Sequence, residues 1–429
     1  MKTLPLSVRR ALATTACMLP LAAFATDGYF SHGYGMKAIG MAGASTAIAD
    51  DAFGGANNPA SMVWAGNRFD VGVNLFSPRR NVKREGSGGG ALDFSVDSDS
   101  TLFAVPEMGY NMMYRPDVSL GVSVYGNGGM NTDFKGGQLN CTPFGGPPSA
   151  NGLCGAGRLG VDLSQLIIAP TVAWKFAPDH SLGISPLLGY QKFRVQGVHL
   201  FTQLSQAPGN VTNQDHDSST GFGVRVGYLG RLSPMVSVGA TYASKMRMGE
   251  FDKYKGLFAE DGGFDMPAHY ALGAAFRPAD GWLVAIDYKK IKYSGIRSIA
   301  NPSTNQAPMG SSGGPGFGWQ DVDVVKVGVE YQASPTLALR AGYGHTDNPI
   351  ASRDVTFNII APGVVQDHYT LGFTYAIDKT SEITGAYMHA NTNSVTGFSF
   401  FNAFAPGQGG IETIEMYQNS FGIAWGKRW

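Results

Sequence analysis

Charge is scarce in this chain, and so is cysteine. Only 15% of the 429 residues are Asp, Glu, Lys or Arg, and they balance to a formal net charge of zero. So few charges exclude a charge-rich disordered chain, and the balance gives no electrostatic reason to bind nucleic acid. After residue 25 no uninterrupted apolar run is long enough to span a bilayer as a helix. No G-x-S-x-G, phosphate loop or zinc-ligand spacing occurs, and no Ser or Cys nucleophile has a placeable partner. That speaks against an enzyme and implies no cofactor and no metal.

What is present begins with a leader. Lys2, Arg9 and Arg10 precede an apolar run from Ala11 to Phe24, and Ala23-Phe24-Ala25 has the form of a cleavage site. Residues 1–25 read as a signal peptide, removed together with Cys17. Cys141 and Cys154 then remain, close together in a Gly/Pro-rich stretch of an exported chain, and are expected to form a disulfide. Closing that short loop contributes on the order of 3 kcal/mol in the loop-entropy account.

From Arg68 onward alternating runs succeed one another. Tyr369, Leu371, Phe373 and Tyr375 oppose His368, Thr370, Gly372 and Thr374. Val325, Val327, Val329 and Tyr331 oppose Lys326, Gly328 and Glu330. Six tight turns, such as Pro116-Asp117, Pro178-Asp179 and Pro335-Thr336, join pairs of runs. Longer polar stretches alternate with them, at 79–99, 127–163, 199–219, 249–265, 295–320, 348–363 and 393–412. An exported chain that spans a membrane without helices must close into a barrel, because every backbone group in lipid needs a partner. The fold class is therefore all-β: a transmembrane antiparallel β-barrel of about fourteen strands, apolar side to lipid, with its long loops outside the cell. Phe421, Ile423, Trp425 and terminal Trp429 line one face of the last run. This resembles the signal read by the outer-membrane barrel assembly machinery.

The stretch from Asp27 to Met62 does not fit the strand pattern. It is rich in Gly and Ala, and is expected to fold inside the barrel as a plug over 26–66, leaving 67–429 as the barrel. With its G-x-G, its Ala49-Asp50-Asp51 and its Asn57-Asn58-Pro59-Ala60, and with Phe69-Asp-Val-Gly-Val-Asn-Leu as first strand, the chain resembles the FadL/TodX family of outer-membrane transporters for long-chain fatty acids and hydrocarbons. The resemblance implies a monomeric channel in the bacterial outer membrane. Hydrophobic compounds, long-chain fatty acids first and aromatic or aliphatic hydrocarbons second, would pass inward by diffusion. They would leave sideways at an inward kink of the third strand. A general porin or an outer-membrane enzyme is the competing class.

Candidate site residues follow. Asn58, Pro59 and Ala60 form a rigid turn seating the plug; Asp50 and Asp51 are expected to end a short helix and pair with lumenal cations. Gly126, Gly128 and Gly129 are the kink candidates, against the alternative that they only start a loop. Arg225, Lys245, Arg247, Lys326 and Arg340 fall on lumenal faces by alternation. They either hold a ligand carboxylate or pair internally with Glu330, Asp287 and the plug acids. Phe258, Phe264, Phe398, Phe400, Phe401 and Phe404 crowd two loops and are expected to capture ligand, the alternative being a loop core. Arg79, Arg80, Lys83 and Arg84 offer the first loop a contact with lipopolysaccharide phosphates.

Overall fold

The computed structural model describes residues 27–429; the expected leader, with Cys17, lies outside the described residues. Sixteen strands form one sheet, and two of them are short: Phe94–Asp97, against the first long strand, and Arg247–Met248, against the sixth. The other fourteen make the ring. They are β1 (Arg68–Glu85), β2 (Phe103–Arg115), β3 (Val118–Phe134), β4 (Leu159–Ala177), β5 (His180–Gln196), β6 (Asp217–Arg231), β7 (Val236–Ala243), β8 (His269–Phe276), β9 (Trp282–Ile291), β10 (Val322–Ser334), β11 (Leu337–Thr346), β12 (Asp367–Ala376), β13 (Ser381–Phe398) and β14 (Ile411–Arg428). Each is antiparallel to its neighbours in sequence, and β14 pairs with β1 from Arg68↔Arg428 to Glu85↔Ile411. Closure removes the exposed edges that lipid would not tolerate.

The alternation decides facing. On β12, Tyr369, Leu371, Phe373 and Tyr375 are exposed while His368, Thr370 and Thr374 are buried. Val226, Tyr242, Leu272, Ile286, Val325 and Leu339 continue the exposed apolar band around the ring. Such a band is stable only against lipid.

Several strands outrun the expected loop boundaries. β1 continues to Glu85, where a loop was expected from residue 79, and β3 continues to Phe134. Beyond the lipid the outer face is polar, so apolar alternation fades although pairing persists. The Arg/Lys cluster is therefore strand, not loop. Arg79 faces out, but Arg80 and Arg84 turn inward and are buried, which removes them from any contact with lipopolysaccharide. Lys83 pairs with Glu85 at 2.9 Å.

The long connections pack into an apolar roof. Phe193, Phe201, Phe251, Tyr254, Phe258, Phe264, Trp319 and Phe357 share one buried cluster there. Cys141 and Cys154 are disulfide-bonded, with Cα atoms 5.6 Å apart, and tie loop 135–158 into it.

Residues 27–66 are almost wholly buried against inward-facing wall residues. They hold a short helix (Met36–Gly40), a 3-10 turn (Pro59–Ser61) and a second short helix (Met62–Ala65). Glycines of the wall admit this segment. A Cβ on Gly239 would come within 2.0 Å of the Thr46 carbonyl oxygen, and one on Gly128 within 1.8 Å of that of Tyr29.

Candidate functional site

The N-terminal segment is tied to the wall by side chains that alternation turns inward. Asp27 is the most heavily bound. Its Oδ2 accepts from Lys326 Nζ at 3.1 Å and Lys289 Nζ at 3.4 Å. Its Oδ1 accepts from Thr346 Oγ1 at 3.0 Å and lies 3.2 Å from His32 Nδ1. Lys326 also donates to the His32 carbonyl, and the His32 ring stacks on His368 at 4.4 Å. Four consecutive strands, β9 to β12, thus converge on two residues of the segment.

Further along, Asp287 accepts from the amides of Ser45 and Thr46, at 2.8 and 2.9 Å, and from Thr46 Oγ1 at 2.7 Å. Asn58 is fully buried. Its Nδ2 donates to the carbonyls of Thr46 and Tyr228, at 2.8 and 2.9 Å, and its Oδ1 accepts from Ala60 N at 3.1 Å. Pro59 and Ala60 lie against Gly183 of β5. The triplet joins the segment to itself and to the wall at once.

Asp50 and Asp51 do not cap a helix, because the helix before them ends at Gly40. Asp51 Oδ1 accepts from Phe53 N at 3.0 Å, a local turn, and Asp50 offers its backbone carbonyl to Lys37 Nζ at 3.1 Å. Burial and the nearby Asp70 push the Asp51 carboxyl up to about 6.

The five candidate head-group cations divide. Arg225 Nη1 donates to the carbonyls of Gly55, at 2.6 Å, and of Ala56. Lys326 is held by Asp27, and Arg340 pairs with Glu330 and donates to Thr374 Oγ1 at 2.7 Å. These three face the lumen and are committed internally. Lys245 and Arg247 are corrected: both are exposed. Ala243 pairs with Arg225, yet Arg247 pairs with Phe222, so four residues on one strand span three on the other. That one-residue slip reverses the faces. Met246 and Met248 turn inward instead.

The phenylalanines divide as well. Phe258, Phe264 and Phe401 are buried in the roof, so they build a loop core and offer no surface. Phe398 and Phe404 are 75% and 56% exposed, with Phe400 between the two states. They border two clefts, one of about 480 Å³ lined by Leu92, Leu200, Leu204 and Phe404, the other of about 600 Å³ lined by Phe398, Phe400 and Ile411.

Between β2 and β3 the wall is interrupted. Pairing of β2 with β3 runs from Arg115↔Val118 to Glu107↔Tyr125 and stops there, although β2 begins at Phe103. On β3 the register to β4 slips between Gly126 and Gly128, leaving Asn127 bulged, and Gly126 to Met130 are all buried. A bulge bends its strand, and here the glycines stand in the strand, ahead of the loop. The freed edge of β3 pairs with the N-terminal segment: Ser31 N donates to Asn127 O at 3.0 Å and Gly129 N to Tyr29 O at 3.1 Å. Above the gap, Asp99 N donates to Asp133 O at 2.9 Å and closes the wall again. The gap between β2 and β3 is therefore stopped from inside by Tyr29 and Phe30.

Sequence reasoning passed over Asp27 and Lys289, and it placed Arg80 on a surface loop. The period-2 rule puts Lys289 beside Asp287 on one face, but nothing in the sequence pairs Asp27 with strands some 260 to 320 positions away. Among the described residues no group of three His, Cys, Asp or Glu could hold a metal ion.

One pH effect arises here. Burial, then Lys326, pushes the His32 imidazole down to about 4, against the support of Asp27. A released His32 titrates near 6.5. Between those values the released segment binds a proton that the docked one refuses, so docking weakens as pH falls from about 6.5 toward 4. Hydrogen exchange of residues 27–34, corrected for intrinsic rates, is expected to quicken between pH 7 and 5. In His32→Asn that pH dependence should flatten; an equal dependence in both proteins would refute the assignment.

A family model described as outer membrane protein transport protein (OMPP1/FadL/TodX) matches residues 13–403. No curated protein matches the sequence. The fold is similar to that of the P. putida toluene transporter TodX, with TM-score 0.71, 18% identity, and 93% of this chain and 99% of that one covered. It is similar also to a Pseudomonas aeruginosa FadL homologue (TM-score 0.67, 15% identity, 93% and 99% covered) and to the Ralstonia pickettii toluene transporter TbuX (TM-score 0.64, 15% identity, 93% and 99% covered). At such identities these likenesses speak to fold, whereas the family model spans most of the sequence: the chain belongs to the FadL/TodX family of outer-membrane transport proteins.

Proposed function

We propose that the protein lets hydrophobic compounds diffuse through the outer membrane, entering at the loop roof and leaving through the gap between β2 and β3. Residues 26–66 act as the plug that opens that gap, and 67–429 form the barrel. The observation that carries this reading is the gap itself, where pairing of β2 with β3 stops and a docked segment bonds to the freed edge of β3. A chain of apolar contacts leads from the roof toward it. Phe404 neighbours Phe400 (ring centroids 5.4 Å apart), Phe400 neighbours Phe357 (5.6 Å), and Phe357 neighbours Phe201 (4.6 Å). Phe201 and Phe357 line a small cavity with Phe258, which continues to Phe264 (4.8 Å) and so to Tyr29 (6.2 Å).

Long-chain fatty acids remain the first ligand class, and aromatic or aliphatic hydrocarbons the second. Because Arg225, Lys326 and Arg340 are engaged internally, a carboxylate ligand would have to find its cation elsewhere. Cells lacking and regaining the gene decide the matter when uptake of labelled oleate and of toluene is measured directly. At least one class is expected to enter several-fold faster with the protein present. Equal uptake of both with and without it would remove the transport reading.

A further inference from the structure

Pairing of β1 with β2 ends at Phe76↔Phe103, and four residues further on Arg80 turns inward. It is 7% exposed. Its Nη2 donates to the Ser100 carbonyl, and its guanidinium carbon lies 6.0 Å from the ring centroid of Phe103. Its buried Nε meets no acceptor. The charged neighbour that bears on it is Arg79, of the same sign. Other buried arginines also keep one unpartnered nitrogen, but each has more than one neutral acceptor or a carboxylate: Arg68 has Asp70, Arg84 has Glu412, Arg340 has Glu330, and Arg225 has two carbonyls. Among the described residues no carboxylate pairs with Arg80.

A guanidinium taken out of water with one neutral acceptor is an expensive arrangement. Its position gives it a use. Arg80 borders a cavity of about 20 Å³ with Phe76, Gly129, Trp319 and Met416, beside the gap between β2 and β3. That space admits one water, or one carboxylate oxygen in its place. Gly129 is hydrogen-bonded to Tyr29, and Trp319 lies 6.0 Å from the Tyr29 ring, so the aromatic stopper of the gap adjoins the same cavity.

We propose that Arg80 binds the carboxylate of a hydrophobic acid at the side gap, with the acid's chain against the Tyr29 and Trp319 rings. The assignment rests on the reading of the protein as a channel with a lateral exit, and it names the ligand class as acids. Cells making the full-length chain, Arg80→Gln or Arg80→Lys are given oleate or methyl oleate, and initial uptake is measured against concentration. Heat-modifiable gel mobility of the barrel confirms equal amounts of folded protein. Charge-assisted bonds in a partly dry site predict an apparent KM for oleate about tenfold higher in Arg80→Gln. Arg80→Lys should recover part of it, and methyl oleate should enter all three alike. Gln keeps a donor for the Ser100 carbonyl, so a purely structural role would slow acid and ester together or neither. Either of those results overturns the assignment, as does a wild-type protein that takes up only the ester. If the wild-type protein takes up neither compound, the assignment fails; the channel reading fails with it only if toluene uptake is also the same with and without the protein.

Discussion

Asp27→Asn is expected to release the N-terminal segment from the barrel wall while the barrel stays assembled. The substitution keeps the shape and an acceptor for Thr346 but removes the charge between Lys289 and Lys326. Two ammonium groups then face each other without the carboxylate that both of them bind. Removing one partner of a buried ionic cluster costs about 3–5 kcal/mol, mostly because the remaining charges are stranded. The barrel does not bear that cost, because its strands remain paired from β1 round to β14. The docking of residues 27–34 does. Their amides should exchange far faster than in wild type, while those of β9 to β12 should not. Planar-bilayer conductance should rise in parallel, since the lumen loses its stopper. Unchanged exchange at Tyr29 and Phe30 would show that Asp27 is not the latch. Lys326→Met combined with Asp27→Asn leaves one lysine in place of two and should recover part of the docking.

The barrel was legible in the sequence because lipid enforces a strict rule. Every second residue of β10 and β12 must be apolar, and Pro-containing turns such as Pro335-Thr336 punctuate the rule. Where lipid ends the rule relaxes, which hid the outer half of β1. Arg80 and Arg84 looked like loop residues because their neighbours Arg79 and Lys83 are polar too. A single slipped residue after Ala243 sufficed to put Lys245 and Arg247 on the wrong side. No sequence pattern marks such a slip, since both registers present a polar residue in turn. The Gly/Ala character of residues 27–66 pointed to close packing, but the anchor points of that segment include β3, β5, β6 and β9 to β12. They become neighbours only when the ring closes. The roof misled for a related reason. A loop phenylalanine is apolar whether it waits for ligand, like Phe404, or packs on its neighbours, like Phe258. Only the packed structure separates the two.

The second large effect belongs to that roof. Arg84 and Glu412, both without solvent contact, pair where β1 and β14 rise above the membrane. Arg84 also donates to the Gly152 carbonyl at 2.8 Å, beside the Cys141–Cys154 loop, and its guanidinium lies 4.3 Å from the Phe401 ring centroid. Glu412 accepts from Ser399 Oγ at 2.8 Å and from Thr356 Oγ1. One ion pair therefore pins three loops, including the turn between the two apolar clefts. Glu412→Gln strands a buried guanidinium and is expected to loosen the roof by about 3–5 kcal/mol. Limited proteolysis should then cut near 352–358 and 399–410, which resist it in wild type, with the barrel core intact. The double change Arg84→Met, Glu412→Met removes both charges together, and such replacements are often near neutral. Here recovery should be incomplete, because Ser399 and Thr356 lose their acceptor and each unmet buried hydroxyl costs about 1–3 kcal/mol. A double variant cut as readily as Glu412→Gln would mean that the hydroxyl contacts, not the ion pair, hold the loops. A Glu412→Gln protein as resistant as wild type would mean that the aromatic packing around Phe401 is sufficient without either.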